Sequence, residues 1–392
     1  MLRKGRKKLW SFFYFYKMKI LLVEPFFVGS HATWAKGYQQ FSQHDVEILS
    51  LPGRHWKWRM YGGAVSLAQK MKKLKFKPDL LLVTDMLDLT TFLALTKKQT
   101  AHLPVAIYFH ENQITYPWSP ADADKKMERN NQIGFLNYTS ALAADWVCFN
   151  SDYHHDNFLN ALPAFLRQFP DFQELDLVDF IQQKSSVLPL GMDLKKFDSY
   201  KMEITNDIPI ILWNHRWEYD KNPTSFFKIL FQLKKEKIDF RLVVLGKNYQ
   251  QSPPIFAEAK TYLKEEILHF GYASDLATYA KWLWQADILP VTNVQDFFGG
   301  SIVEAIYCNV YPILPNRLAY PAHIPLEHHQ KHFYDGTDEQ LYLKLKKVLL
   351  DFKASSTAFE TKNYVHHYDW RIFARAYDDF FSNIVSDYHK LQ

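Results

Sequence analysis

From Lys19 onward, short unbroken apolar runs alternate with longer stretches whose apolar residues recur at helical spacing. Residues 20–23, 46–49, 80–83, 105–109 and 146–149 are such runs, and the pattern predicts a strand at each. Continuous apolar runs separated by helices belong to parallel sheets covered on both faces. A second series follows at 208–213, 240–245, 267–270, 287–291 and 311–314. Two successive α/β units predict two Rossmann-like domains facing each other across a cleft, joined near Leu188-Pro-Leu-Gly-Met-Asp193. The expected division is an extension over 1–17, a first domain over 18–190, a second over 191–358, and a helical segment over 359–392 that packs back on the first domain.

Composition narrows the class. Hydrophobic residues are 47% and charged residues 23% of the 392, which excludes extensive disorder. The only two cysteines, Cys148 and Cys308, sit in apolar runs and support neither a disulfide framework nor a cysteine zinc site. A reducing, cytoplasmic setting is expected. The net charge of +5 is mostly the first 17 residues, where Arg3, Lys4, Arg6, Lys7, Lys8 and Lys17 have no acid among them. The apolar run 9–16 is too short to span a bilayer, so no stable membrane insertion is expected. This segment reads as a start-site extension ahead of Met18, or as a basic aromatic arm that touches membrane or RNA.

Chemistry in such folds lies at the strand ends. After the first strand comes Glu24-Pro-Phe-Phe-Val-Gly29-Ser30-His31, where Gly29 allows close backbone approach and Ser30 is placed to cap a helix. A tight strand-to-helix turn explains one glycine equally well, and without a complete G-x-G-x-x-G a nicotinamide dehydrogenase loses its main support. After the fourth strand comes His110-Glu111-Asn112-Gln113. These groups are costly to bury unpaired, which places them in an exposed cleft, with a hydrogen-bonding corner as the alternative. Asn150-Ser151 reaches the same rim from the fifth strand. In the second half, Arg216 ends a strand and Lys221 precedes a helix that Pro223 can open, a pairing of cations with a helix N-terminus that suits a diphosphate. Asp296-Phe-Phe298-Gly299-Gly300-Ser301-Ile-Val-Glu304 then offers two acids flanking glycine-exposed amides.

Together these positions resemble the retaining GT-B glycosyltransferases, especially family 4, with its Arg-x4-Lys pair and Glu-x7-Glu motif; Asp296 stands at the first glutamate. The long motifs at 51–59, 108–120, 137–145, 213–223 and 303–308 are similar to the tRNA-queuosine α-mannosyltransferase family, over about 19–325. The resemblance implies that Arg216 and Lys221 hold the donor diphosphate and Glu304 the ribose. Asp296, with the amides around Phe298, Gly299 and Gly300, would hold the sugar, and His110 would lie over its reacting face. Gly29, Ser30, His31, Glu111 and Asn112 would frame the acceptor. The implied donor is GDP-mannose, a substrate; no cofactor and no metal are expected. The implied acceptor is tRNA bearing queuosine.

Between Leu51 and Lys77 lie eight basic groups with no acid, including Arg54, Lys72, Lys73 and Lys75, interleaved with Trp56, Trp58 and Tyr61. Phosphate attraction plus base stacking holds single-stranded RNA loops. Alternatively, Leu67, Met71 and Leu74 mark one buried helical face and the lysines its solvated side. Asp122 and Asp124 match a metal-binding Asp-x-Asp, yet read as a helix start, and His328 with His332 lacks a third zinc ligand. Two other readings stay open: a family 4-like transferase with a lipid or glycan acceptor, and a catalytically silent RNA-binding protein on the same frame.

Overall fold

A computed structural model describes residues 17–118, 130–202, 205–247, 252–352 and 360–391. Residues 1–16 of the basic extension, Asp122 with Asp124, and residues 353–359, where the C-terminal segment was expected to begin, lie outside them.

The chain forms two six-stranded parallel sheets. In the first, β1 (Lys19–Phe27), β2 (Asp45–Pro52), β3 (Leu80–Thr84), β4 (Val105–Phe109), β5 (Trp146–Phe149) and β6 (Ser185–Val187) take the order 2-1-3-4-5-6. In the second, β7 (Ile210–Asn214), β8 (Arg241–Leu245), β9 (Ile267–Gly271), β10 (Ile288–Pro290), β11 (Tyr311–Pro315) and β12 (Phe333–Tyr334) take the order 12-11-10-7-8-9. Each run expected to be a strand is one. The two strands that were not anticipated, β6 and β12, are short edge strands: Ser-Ser-Val is half-buried, and β12 has only two residues. At an edge one side of the strand has no neighbour, so no apolar run is needed to mark it.

Chain order reverses between β1 and β3 in the first sheet and between β7 and β10 in the second. Crevices for ligands open beyond the carboxyl ends of strands at such points. The loops after these four strands therefore set the site.

The β1 loop enters helix α1 (Gly29–Phe41) through Gly29, whose φ of +55° is left-handed. The helix begins two residues earlier than a Ser30 cap requires. Val28 is the N-cap and no side chain caps the helix, so Ser30 sits in the first turn and its hydroxyl is left for the cleft. Nothing lies within 4 Å of a Cβ built on Gly29, so backbone handedness, not close approach, is what demands glycine. Helix α2 (Trp56–Met71) ends earlier than its apolar pattern implies. Leu67 and Met71 are buried on it, but Lys72 is its C-cap, and Lys73 and Lys75 follow in the exposed connection to β3. The lysines are therefore not the solvated face of a helix, and they lie at the sheet edge opposite the cleft.

The last helix, Trp370–Leu391, packs against α1. Trp370 is fully buried between two glycines: a Cβ on Gly37 would sit 2.0 Å from its Nε1, and one on Gly191 2.4 Å from its ring. Asp378 accepts hydrogen bonds from the Tyr38 hydroxyl at 3.1 Å, the Ser42 hydroxyl at 2.6 Å and the Gln43 amide at 2.8 Å. Before this helix, Tyr368 O accepts from Met192 N at 2.9 Å and Trp370 N donates to Met192 O at 2.8 Å, strapping the interdomain linker. Trp370→Ala is expected to lower stability by about 3–5 kcal/mol, read from chemical denaturation.

Candidate active site

In the second domain, Asn222 adopts a left-handed φ of 49° as N-cap of the helix Pro223–Lys235, with Pro223 at its first turn. This turn drives Lys221 inward. Its Nζ lies 2.8 Å from Asp296 Oδ1, 3.0 Å from Asp220 Oδ2 and 2.7 Å from Gln295 O. An ammonium has three N–H donors, and these acceptors match them in number. Burial tends to lower the Lys221 pKa, but Asp296 and Asp220 prevail and raise it above its ordinary value. Burial likewise tends to raise Asp296, and Lys221 with His215 holds it below the usual carboxylate range. The other Asp296 oxygen accepts from Tyr320 Oη and Asn293 Nδ2, each at 2.6 Å. A donor sugar contacting Asp296 has to share or displace one of these partners.

Arg216 behaves differently. Its side chain is half exposed, with Nη1 3.1 Å from Glu218 Oε2 and Nη2 3.3 Å from the Tyr116 hydroxyl of the facing domain. Beyond Asp296 the chain turns through Gly299, at φ +85°, into the helix Gly300–Tyr307. A Cβ on Gly299 would meet Tyr320 at 3.1 Å. The helix's leading amides point out of its N-terminus, where the dipole favours an anion. Phe298 is buried against His323 and Tyr368, and its carbonyl accepts from His323 Nε2 at 2.6 Å. Glu304, one turn into the helix, accepts from the Tyr279 hydroxyl at 2.7 Å and pairs with Lys196 at 3.2 Å.

In the first domain, buried Glu24 accepts from the Phe26 amide at 2.7 Å and faces His31 Nδ1 at 3.0 Å. Burial tends to lower the His31 pKa, but Glu24 outweighs it, with help from Asp85 and Glu111, and raises it to about 9. The His110 ring lies 4.3 Å from the His31 ring, centroid to centroid. Burial, then repulsion from His31 and His154, pushes His110 well below the ordinary histidine value. His110 donates its backbone N–H to Asp85 at 2.8 Å, while its Nε2 is buried with no hydrogen-bond partner. Burial is the main cause that raises Asp85 well above the usual carboxylate range. Among the described residues, Glu24, His31 and His110 are the set whose side-chain ligand atoms gather within 4.8 Å; a hydrogen bond already joins the first two.

The rest of the 110–113 segment is a structural corner. Asn112 is fully buried, and its Oδ1 accepts from the Ile114 and Thr115 amides at 3.1 and 3.0 Å, so the expected acceptor contact is corrected to a turn-forming role. Glu111 remains partly exposed and accepts from Gln113 Nε2 at 2.9 Å. Asn150 donates to His110 O at 2.9 Å, and Ser151 donates to Phe297 O across the cleft at 2.5 Å. These pairings let most of the polar groups bear the burial that the sequence argued against, although Asn112 Nδ2 is buried with no hydrogen-bond partner.

A cavity of about 230 Å³ opens between the domains, lined by Ser30, Thr33, Trp34, Met192, Gly300 and Glu304 among others. At the outer end of the cleft, Lys57 Nζ lies 5.0 Å from the Trp118 ring centroid and 5.6 Å from that of Trp56. Arg54 is exposed and Trp58 is 62% exposed beside them. Lys72, Lys73 and Lys75 are at the other end of the 16-residue α2, about 24 Å away at about 1.5 Å per residue.

Residues 19–192 match the family described as tRNA-queuosine alpha-mannosyltransferase N-terminal, and residues 195–363 match Glycosyl transferases group 1. A Drosophila melanogaster protein named tRNA-queuosine alpha-mannosyltransferase is 33% identical over 325 residues, covering 79% of this chain and 83% of that protein. The chain belongs to the tRNA-queuosine alpha-mannosyltransferase family. Sucrose-phosphate synthase from Thermosynechococcus elongatus superposes with a TM-score of 0.69 at 13% identity, over 94% of this chain and all of that one. Anabaena HepE in complex with UDP gives 0.63 at 14%, with the same coverage. These likenesses establish the GT-B fold, and the enzyme is a glycosyltransferase.

Sequence reasoning left several contributors to this family member's cleft unassigned. Asp85 follows a fully buried strand at the same sheet edge as His110, which is a readable signal. Lys196 and Tyr279 carry none, because they reach Glu304 from remote parts of the chain. Lys221→Met strands Asp220 and Asp296 as buried, unpaired acids and is expected to cost about 3–5 kcal/mol of stability. Arg216→Ala, at a half-exposed pair, is expected to cost less than about 1 kcal/mol in the same denaturation measurement.

Proposed function

We propose that the enzyme transfers mannose from GDP-mannose to the cyclopentenediol of queuosine in a tRNA anticodon loop. The observation that carries this reading is the identity to the Drosophila relative, which extends through most of the chain and is joined by matches in both domains. The geometry supports the chemistry. In this reading the diphosphate lies between Arg216 and the leading amides of the helix Gly300–Tyr307, where the charge of the departing nucleoside diphosphate develops. Glu304, fixed by Tyr279 and Lys196, receives the ribose hydroxyls. Lys221 acts on the donor chiefly by holding Asp296 ionised at the sugar. His110 offers its free Nε2 to the sugar face.

The bond from C1 of the sugar to the diphosphate oxygen breaks as the acceptor oxygen bonds to C1 from the same side. The acceptor proton passes to the departing diphosphate. No enzymic nucleophile and no metal are needed in this scheme. The acceptor enters at the outer end of the cleft, where Trp56 and Trp58 offer faces for an unpaired base. A stem lying along α2 brings its phosphates to Lys72, Lys73 and Lys75, which contribute charge without reading sequence.

Mass spectrometry of nucleosides from queuosine-containing tRNA, incubated with the enzyme and a panel of nucleotide sugars, is expected to show a hexose on queuosine with GDP-mannose, unaffected by a chelator. No modified queuosine with any donor would sink the reading. Arg216→Ala is expected to weaken donor binding by about 10- to 100-fold, the loss of one charged hydrogen-bonding partner, measured by calorimetry. Replacing Lys72, Lys73 and Lys75 together by alanine is expected to weaken tRNA binding and flatten its salt dependence while sparing donor affinity. An unchanged salt slope in binding titrations removes α2 from the RNA path.

A further inference from the structure

The cleft wall contributed by the first domain contains two histidines in opposite circumstances. His31 is backed by a buried carboxylate, with Nδ1 3.0 Å from Glu24 Oε2, which leaves Nε2 as the nitrogen not engaged by Glu24, on a helix turn whose neighbours Ser30, Thr33 and Trp34 line the cavity. His110 lies beside it, with ring centroids 4.3 Å apart, and has no acidic partner at Nε2. Both rings stand at the β1/β3 crevice, His31 on the first turn of α1 and His110 just after β4. Two imidazolium ions at this separation repel strongly in a water-poor site, so at most one is charged. The buried carboxylate decides which one.

We propose that Glu24 is a positioning residue that keeps His31 as an imidazolium, and that the His31 Nε2–H donates into the cleft to the donor diphosphate as its charge grows. The inference rests on the reading of this cleft as the transfer site. His31 then supplies from the first domain a cation opposite Arg216 of the second, so the departing group is held from both walls. The same charge keeps His110 neutral, so His110 presents an acceptor nitrogen to a sugar hydroxyl. One ring donates and the other accepts, and Glu24 fixes the assignment for both.

The groups facing His31 are Glu24 from β1, Asp85 after β3, and His110 with Glu111 after β4; His154 adds its charge to the environment of His110. Three of the groups facing His31 are carboxyl groups and favour its charged form. Its folded pKa of about 9 against 6.5 ordinarily means that the imidazolium is retained at neutral pH and lost as pH rises through about 9. Glu24→Gln removes the largest favourable charge while the amide oxygen can still accept from the Phe26 amide, and burial then drives His31 below 6.5.

The test uses the full chain as wild type, Glu24→Gln and His31→Gln. Imidazole nitrogen NMR on histidine-labelled protein, with the His31 signal assigned by its loss in His31→Gln, reads the titration without substrate. Wild-type His31 is expected to titrate near pH 9 and Glu24→Gln below 6.5. Transfer from GDP-mannose should show an alkaline limb near pH 9 in wild type that moves below 6.5 in Glu24→Gln, so that the variant is at least about 30-fold slower at pH 8 and recovers toward pH 6. An equal loss at every pH, as a merely structural Glu24 would give, overturns the proposal. So does a wild-type His31 that titrates near 6.5, or replacement of the titrating proton by stoichiometric cobalt(II) that raises activity. A titration near pH 9 with no transfer to queuosine tRNA overturns the transferase reading and leaves the protonation of the pair established.

Discussion

The seating of Trp370 between Gly37 and Gly191 is the contact on which the cleft depends. Gly37 belongs to α1 and Gly191 to the linker between the sheets, so one indole, fully buried, ties the last helix to the first domain and to the joint itself. Two backbone hydrogen bonds between Met192 and the chain at 368–370 and the Asp369 carboxylate on the amides of Leu194 and Lys195 complete the clasp. Without side chains at the two glycines the backbones approach closely enough for this packing. The consequence is that a cluster of buried side chains runs from Trp34 and Tyr38 of the first domain through Tyr377 to Ile302 and Val303 of the second. The domains share a core behind the cleft, and the opposed strand ends are held in register in front of it.

On that frame, charge in the cleft is arranged by burial and pairing. Lys221 is the clearest instance: a buried ammonium whose donors are answered by two acids and a carbonyl. Its contacts orient Asp296 and keep it ionised. Arg216, with a delocalised charge and half its side chain in solvent, is held only at the surface, by Glu218 and the Tyr116 hydroxyl. The same contrast recurs in the first domain, where His31 is held by Glu24 and His110 is left with a free nitrogen. In each wall one group is fixed by buried partners and its neighbour is less fully engaged.

Parallel strand pairing and the helical crossovers were legible because they follow from local pattern. An apolar run of four or five residues between amphipathic stretches has few alternatives in a soluble chain, and the runs at 80–83, 105–109 and 210–213 are fully buried strands as that logic demands. The Arg216, Lys221 and Glu304 positions were readable for a related reason: each lies within a few residues of a strand end or helix start, so sequence spacing alone places it at the cleft. Pro223 opening its helix and the left-handed Gly29 and Gly299 belong to the same class of local requirement.

What only the tertiary structure decided are the relations between residues far apart in the chain. Asn112 looks like a cleft residue in sequence and is a turn residue in space, because neighbouring amides claim its oxygen before any ligand can. The basic stretch from Arg54 to Lys77 reads as one patch but is divided by α2, since a helix carries its two ends to opposite edges of the sheet. The pairing of Lys196 with Glu304, the saturation of Lys221 and the protonation contrast of His31 and His110 all depend on how deeply each group is buried and what faces it. Sequence determines which groups stand at the strand ends, through local backbone requirements; desolvation and distance, which exist only in the folded chain, decide which of them carry charge and which remain free to act.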